Sequence, residues 1–250
     1  STTLSGSSLI IPAVGQWTLV SGAGTIANPG SPSTAVSGLA VGENVFRWQV
    51  NNGACTNPIT QDVVSIFVYD DAAAVANAGP DQNICSSTGT AIMAANTPAS
   101  GSGLWTTTSA ATIANTSSPT TGISGMSSAG TYVFVWTITN GTCISRDTIR
   151  ITVAAAIIAN AGPDQQLCNV TTATLAGNAA APGSGTWTST SAATITAPAN
   201  PLSTLTGLNA GVHTFVWTIV NGACTSSDTV RITIDSLIPA NAGPDQQICA

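Results

Sequence analysis

Apolar and polar side chains alternate along three eleven-residue stretches: Val45–Cys55 (VFRWQVNNGAC), Val133–Cys143 (VFVWTITNGTC) and Thr214–Cys224 (TFVWTIVNGAC). Phe46, Trp48 and Val50 take every second position, as do Phe134, Trp136 and Ile138, and Phe215, Trp217 and Ile219. A period of two is that of a strand with one buried face. The Asn-Gly that follows predicts a type I′ hairpin, in which both central residues need positive φ. With Asn140-Gly141 as the turn, Thr139 stands opposite Thr142 and Ile138 opposite Cys143, so Cys143 shares the core-facing side of Phe134 and Trp136. This register turns Ile149, Ile151 and Val153 inward and Thr148, Arg150 and Thr152 outward. In the third copy Val230, Ile232 and Ile234 point in, and Thr229, Arg231 and Thr233 point out.

The copies recur after 88 and 81 residues, so the 250-residue chain divides into small repeats rather than one large domain. A second marker, NAGPDQ, stands at Asn77–Gln82, Asn160–Gln165 and Asn241–Gln246, closely followed by Cys85, Cys168 and Cys249. Gly-Pro breaks what precedes it, and Asp71–Ala78, Ala154–Ala161 and Ser236–Ala242 read as short linkers. Trp105 follows Cys85 and Trp187 follows Cys168. Trp17 holds the same place in the first repeat, which puts that repeat's own cysteine just before Ser1. The expected boundaries are 1–71 for a β-sandwich repeat lacking its first strand, 77–153 and 160–235 for complete repeats, and 241–250 for the start of a further one. A complete repeat carries about seven short strands, Ala173–Gly177 and Gly185–Ser189 among them, and no capped helical pattern. The predicted fold class is all-β, with tandem immunoglobulin-like antiparallel β-sandwiches in a linear array.

Composition narrows the classes of partner. Charged residues make up 6%, there is no lysine, the arginines are Arg47, Arg146, Arg150 and Arg231, and the net charge is −6. Such a chain offers no electrostatic footprint to nucleic acid or an anionic membrane surface. A hydrophobic share of 43% is enough for packed cores. No apolar run reaches the length of a membrane span. The opening STTLSG lacks signal-peptide character, so the chain reads as an excerpt of a longer secreted one.

Six cysteines sit at repeat-equivalent points, none in a CxxC pair. They predict disulfides and a location outside the cytosol. The period favours pairs within a repeat, Cys85–Cys143 and Cys168–Cys224, with Cys55 and Cys249 partnered beyond the two ends. The rival pattern of Cys55–Cys85, Cys143–Cys168 and Cys224–Cys249 would clamp successive repeats.

In this order, ANAGPDQ, the Trp strand, GTYVFVWTITNG and DTIRITV resemble the PKD-type and immunoglobulin-like tandem repeats of giant Bacteroidota cell-surface proteins. The WDFGDG signature of standard PKD domains is absent and a cysteine pair is added. The resemblance implies gliding-adhesin-like repeats exported by type IX secretion: stalk or fibre modules of a large secreted adhesin or filament that projects a distal binding region. The alternative is a set of accessory carbohydrate-binding or spacer modules of a secreted polysaccharide-degrading enzyme. Expected partners are neighbouring repeats, other copies in lateral association, and a surface or polysaccharide ligand bound by parts outside this chain. The Asp-Thr/Ser-aliphatic triplets at 147–149, 228–230 and 235–237 resemble the Bacteroidota O-glycan acceptor motif, which makes Thr148, Thr229 and Ser236 glycosylation candidates.

Catalysis has little to stand on, and no enzyme is expected. His213 is the single histidine, and its repeat equivalents are Asn44 and Tyr132. Tyr132, close behind Gly130, resembles the tyrosine corner of sandwich domains. The carboxylates of Asp81, Asp164, Asp245, Asp147 and Asp228 are locked to the repeat. No cofactor is expected, and a Ca2+ site joining Asp81 to Asp70 and Asp71 is a weaker reading than an Asx bond closing the turn of Asp81 itself. The six tryptophans fall at inward positions and are expected to pack near the disulfides. Phe67 and Tyr69 fall outside such positions and are the weak candidates for sugar binding.

Overall fold

The computed structural model describes residues 1–55 and 57–248. The first unit comprises β1 (Thr2–Ser5), β2 (Val14–Ser21), β3 (Thr25–Ile26), β4 (Ser33–Ser37), β5 (Gly42–Asn51) and β6 (Ile59–Val68). The second has β7 (Gln82–Cys85), β8 (Ala91–Ile92), β9 (Ser102–Thr107), β10 (Thr112–Ile113), β11 (Gly122–Ser124), β12 (Gly130–Asn140) and β13 (Cys143–Ala154). The third repeats these seven as β14 (Gln165–Cys168), β15 (Thr172–Thr174), β16 (Ser184–Ser189), β17 (Thr194–Ile195), β18 (Thr204–Thr206), β19 (Gly211–Asn221) and β20 (Cys224–Asp235). Among the described residues the helical content is one 3-10 turn, Ala72–Ala74. The chain is an array of immunoglobulin-like β-sandwiches.

Each complete unit sets a four-stranded sheet, ordered β7-β13-β12-β9 or β14-β20-β19-β16, against a three-stranded one, β10-β11-β8 or β15-β18-β17. Pairing is antiparallel except at the outer edge, where β7 runs parallel to β13 and β14 parallel to β20. The expected all-antiparallel sandwich is corrected at this edge. The first unit's larger sheet, β2-β5-β6, has no such outer strand.

The alternation of the strands decides what is buried. Phe134, Trp136, Ile138, Ile149 and Ile151 are fully enclosed, and Thr148, Arg150 and Thr152 face out. Trp105 and Trp136 stand directly opposite on β9 and β12, their rings 5.1 Å apart and tilted by 43°. Trp187–Trp217 and Trp17–Trp48 repeat the pair at 5.0 and 5.1 Å. Tilted pairs at such a spacing contribute about 0.5–1.5 kcal/mol beyond area burial. The second ring lies flat over glycine backbone, since a Cβ on Gly103 or Gly185 would overlap the six-membered ring of Trp136 or Trp217.

The segments read as linkers belong to the following core. Ala74, Ala76 and Ala78 pack into the second unit, and Ala159 and Ala161 into the third. Backbone N–H groups anchor them: Ala78 donates to the Asp147 carboxylate at 2.8 Å, and Ala161 to that of Asp228 at 2.8 Å. Alanine suits this path because the chain passes close between the two sheets.

Hairpin geometry departs from the expected turn. Asn140 stands opposite Cys143, so the central residues are Gly141 and Thr142, and Gly141 carries the positive φ of 58°. This is the II′ pattern, with glycine first. The faces are unchanged because the shift is even, yet Cys143 now sits at the sheet's end, half-buried, instead of opposite Ile138.

Candidate functional site

One geometry recurs where one unit meets the next. Asn140 is not a turn residue; its side-chain amide donates to the Asp70 carbonyl of the first unit at 3.1 Å and to Ser100 Oγ at 2.9 Å. Asn221 donates in the same way to the Ala155 carbonyl of the second unit, at 2.8 Å. Asp70 and Ala155 occupy equivalent positions, two residues past the equivalent pairs Gly42–Val68 and Gly130–Val153. The two junctions therefore share one seat, in which the Asn-Gly hairpin of each unit docks on the end of the last strand before it. Gly141 lies flat on the Tyr69 ring, and a Cβ at Gly222 would come within 2.8 Å of Ala154 Cβ. Tyr69 is thus a junction residue, and Phe67 stacks beside it at 5.0 Å.

Across the second junction runs a disulfide, Cys85–Cys224, with Cα atoms 4.8 Å apart. Cys143, Cys168 and Cys55 are free thiols, and Cys249 lies outside the described residues. Both expected pairs, Cys85–Cys143 and Cys168–Cys224, are corrected, as is the rival clamp, since the observed bond runs from the first-strand cysteine of one repeat to the hairpin cysteine of the next, the reverse of the clamp's direction. The reason is the parallel edge. Cys85 stands beside Ala154 at the far end of β13, whereas Cys143 opens that strand. Eleven residues of strand separate them by about 36 Å, and a disulfide needs Cα atoms within about 7 Å. The far end of β13 is where the next hairpin arrives, and Cys224 is 5% exposed there. The tryptophans accordingly pack at mid-sheet, away from the disulfide.

The remaining candidates are architectural. Tyr132 donates its hydroxyl to the Ser128 carbonyl at 3.2 Å, Asn44 its amide to that of Ala40 at 2.9 Å, and His213 Nε2 bonds that of Asn209 at 2.9 Å. Three chemically different side chains fill one role, the carbonyl four residues back. Asp81 does not close its own turn. Its carboxylate accepts from the Arg150 N–H at 2.7 Å, as Asp164 does from Arg231 at 2.8 Å, and Asn77 supplies the Asx bond to Gly79 instead. No group of three or more His, Cys, Asp or Glu side chains converges among the described residues. Asp70 caps Ala72. Thr148, Thr229 and Ser236 are all exposed.

No protein-family model and no curated protein matches the chain. Among solved structures it is similar to titin domains I67–I69 in an E-to-A variant, at TM-score 0.48 and 10% identity, over 90% of this chain and 89% of that one. It is similar to extracellular domains 3–5 of Drosophila OTK, at TM-score 0.47 and 10% identity, over 89% and 85%. The PKD domain from the KIAA 1837 protein aligns at TM-score 0.29 and 24% identity, over 36% and 92%.

Proposed function

We propose that the chain is a structural spacer: a stack of sandwiches whose junctions are locked so that it holds its length outside the cell. The observation that carries this reading is the recurrence of one seat at both junctions, sealed at the second by Cys85–Cys224. A flexible tether would need neither a repeated hydrogen bond nor a covalent cross-link between successive units. In this reading the chain is shaft sequence of a secreted cell-surface adhesin or filament of the Bacteroidota gliding type, exported by the type IX route. Ligand binding belongs to regions outside these residues. O-glycans on Thr148, Thr229 and Ser236 would cover outward strand surface at no packing cost.

Small-angle scattering of the oxidised chain tests the reading: a spacer gives one fixed distance between adjacent units. Asn221→Ala together with reduction should broaden that distance. An equally broad distribution in the oxidised wild type would refute a locked spacer. Mass spectrometry of material from the native cell tests the glycans, and unmodified peptides at all three sites would remove them from the proposal.

A further inference from the structure

A cleft of about 310 Å³ opens at the first junction, and its lining includes Val41, Phe67, Tyr69, Asp70, Ser100 and Asn140. This volume is at the lower end of small-ligand sites. Ile66 packs onto the first core, so Phe67 next to it turns outward and is 58% exposed. Val41 and Gly42 place the cleft on the β5 side of β6, away from the edge of the sheet. Thr152, the equivalent of Phe67, is exposed although β7 lies along β13, so an edge strand leaves this face open.

The fold does not require this aromatic pair. At the second junction Thr152 and Ala154 hold the places of Phe67 and Tyr69, and the same asparagine seat forms there. Tyr69 has one ring face on Gly141, whereas Phe67 leans on Tyr69 at 5.0 Å and turns its ring to the cleft. The polar groups beside the rings are left mostly as acceptors. Both N–H groups of Asn140 are engaged, by the Asp70 carbonyl and by Ser100 Oγ, which leaves Asn140 Oδ1 to accept. One oxygen of the Asp70 carboxylate accepts from the Ala72 N–H, and the other has no partner among the described residues. The Ser100 hydroxyl, which accepts from Asn140, still has its own proton to donate.

We propose that this cleft binds a neutral glycan, with one sugar ring lying on Phe67 and its hydroxyls bonded to Asn140 Oδ1, the Asp70 carboxylate and Ser100. The site goes beyond the spacer reading, which leaves ligand binding to other regions, and gives the shaft a contact of its own. The face of an aromatic ring is its negative side, and the polarised C–H groups of a pyranose pack on it while the equatorial hydroxyls reach the rim. Neighbouring hydroxyls supply the donors that the two free acceptors lack. Charge selects a neutral sugar. Asp70 lines the cleft, Glu43 stands opposite Phe67, and none of the lining residues is basic, so sulfated and uronic acid chains are repelled. A proline-rich segment also suits aromatic grooves, but proline brings no N–H to these acceptors.

The test is a titration of the whole oxidised chain, 15N-labelled, with cellohexaose, xylohexaose, laminarihexaose and mannohexaose, read from the backbone amide shifts. At least one of these neutral probes should move the amides of Phe67, Tyr69, Ser100 and Asn140 together, while hexagalacturonate and decaproline leave them in place. Phe67→Ala should weaken that binding by about tenfold or more and keep the melting temperature of the wild type, because the ring lies outside the core. Phe67→Trp should retain binding, and Thr152→Ala should not affect it. Silence with all the neutral probes, an affinity unchanged by Phe67→Ala, or a stronger response to hexagalacturonate or decaproline overturns the proposal. The scattering measurement reads the spacing of the units and not this cleft, so the spacer reading stands or falls separately.

Discussion

Cys85 and Cys224 are 139 residues apart in the chain and joined by a disulfide, and the bond crosses from the edge strand of one sandwich to the hairpin of the next. Its partners sit on separately folded cores, so it constrains the junction more than either unit. A non-reducing digest should yield a Cys85–Cys224 peptide. By chain entropy a loop of this length contributes up to about 5 kcal/mol, and Cys224→Ser should lower the second and third melting transitions and separate them in calorimetry. Recovery of Cys85 linked to Cys143 would show that the edge strand is not parallel.

Trp217 fills the middle of the third core and is fully buried against Trp187. Trp217→Ala should cost about 3–5 kcal/mol and unfold the third unit first. Chemical denaturation followed by near-ultraviolet circular dichroism reads this loss. An unchanged midpoint would mean that the tryptophan pair is not the core.

Gly185 tests the same contact from the other side. A methyl group there meets the Trp217 ring, so Gly185→Ala should destabilise by about 1–3 kcal/mol through overpacking, although alanine normally favours a strand over glycine. Gly122→Ala is a useful comparison because nothing lies near its added methyl group and its φ is not positive.

His213 should be replaceable by the residues its equivalents use. His213→Tyr or His213→Asn can still reach the Asn209 carbonyl, whereas His213→Leu leaves that acceptor unpaired, at about 1–3 kcal/mol. Thermal melts resolve such a difference, since 1 kcal/mol moves the midpoint of a domain this size by about 4–8 °C.

Acid should loosen the lead-in of the third unit. The N–H groups of Ala161 and then Thr229 hold the Asp228 carboxylate below its ordinary value, outweighing a small opposing effect of burial. A native value below the unfolded one gives stability that is complete above about pH 3.9 and is lost as pH falls through the native value. Asp228→Asn should therefore flatten the acid limb of the melting profile. An acid limb identical to wild type would assign the acid sensitivity to other carboxylates.

Much of each unit was legible in its residues. Phe134, Trp136 and Ile138, and across the hairpin Ile149, Ile151 and Val153, declare their faces because burial follows the pleat whatever the strand's partner is. The position shared by Asn44, Tyr132 and His213 could be found by period alone, and its hydrogen bond is local. Asn140 shows where local reading stops. Asn-Gly correctly marks a hairpin, but the amide is tied to the Asp70 carbonyl of another unit, and the turn forms one residue later.

The sequence by itself determined the strands, their faces, the repeat and the equivalence of the six cysteines, because all of these follow from spacing along one chain. Only the tertiary structure decided which cysteine meets which. A period of two is the same for parallel and antiparallel neighbours, so nothing in QNIC states the direction of its pairing. That direction follows from Ala76 and Ala78 threading between the sheets of their own unit, which delivers Cys85 to the far end of β13 and into reach of the next hairpin.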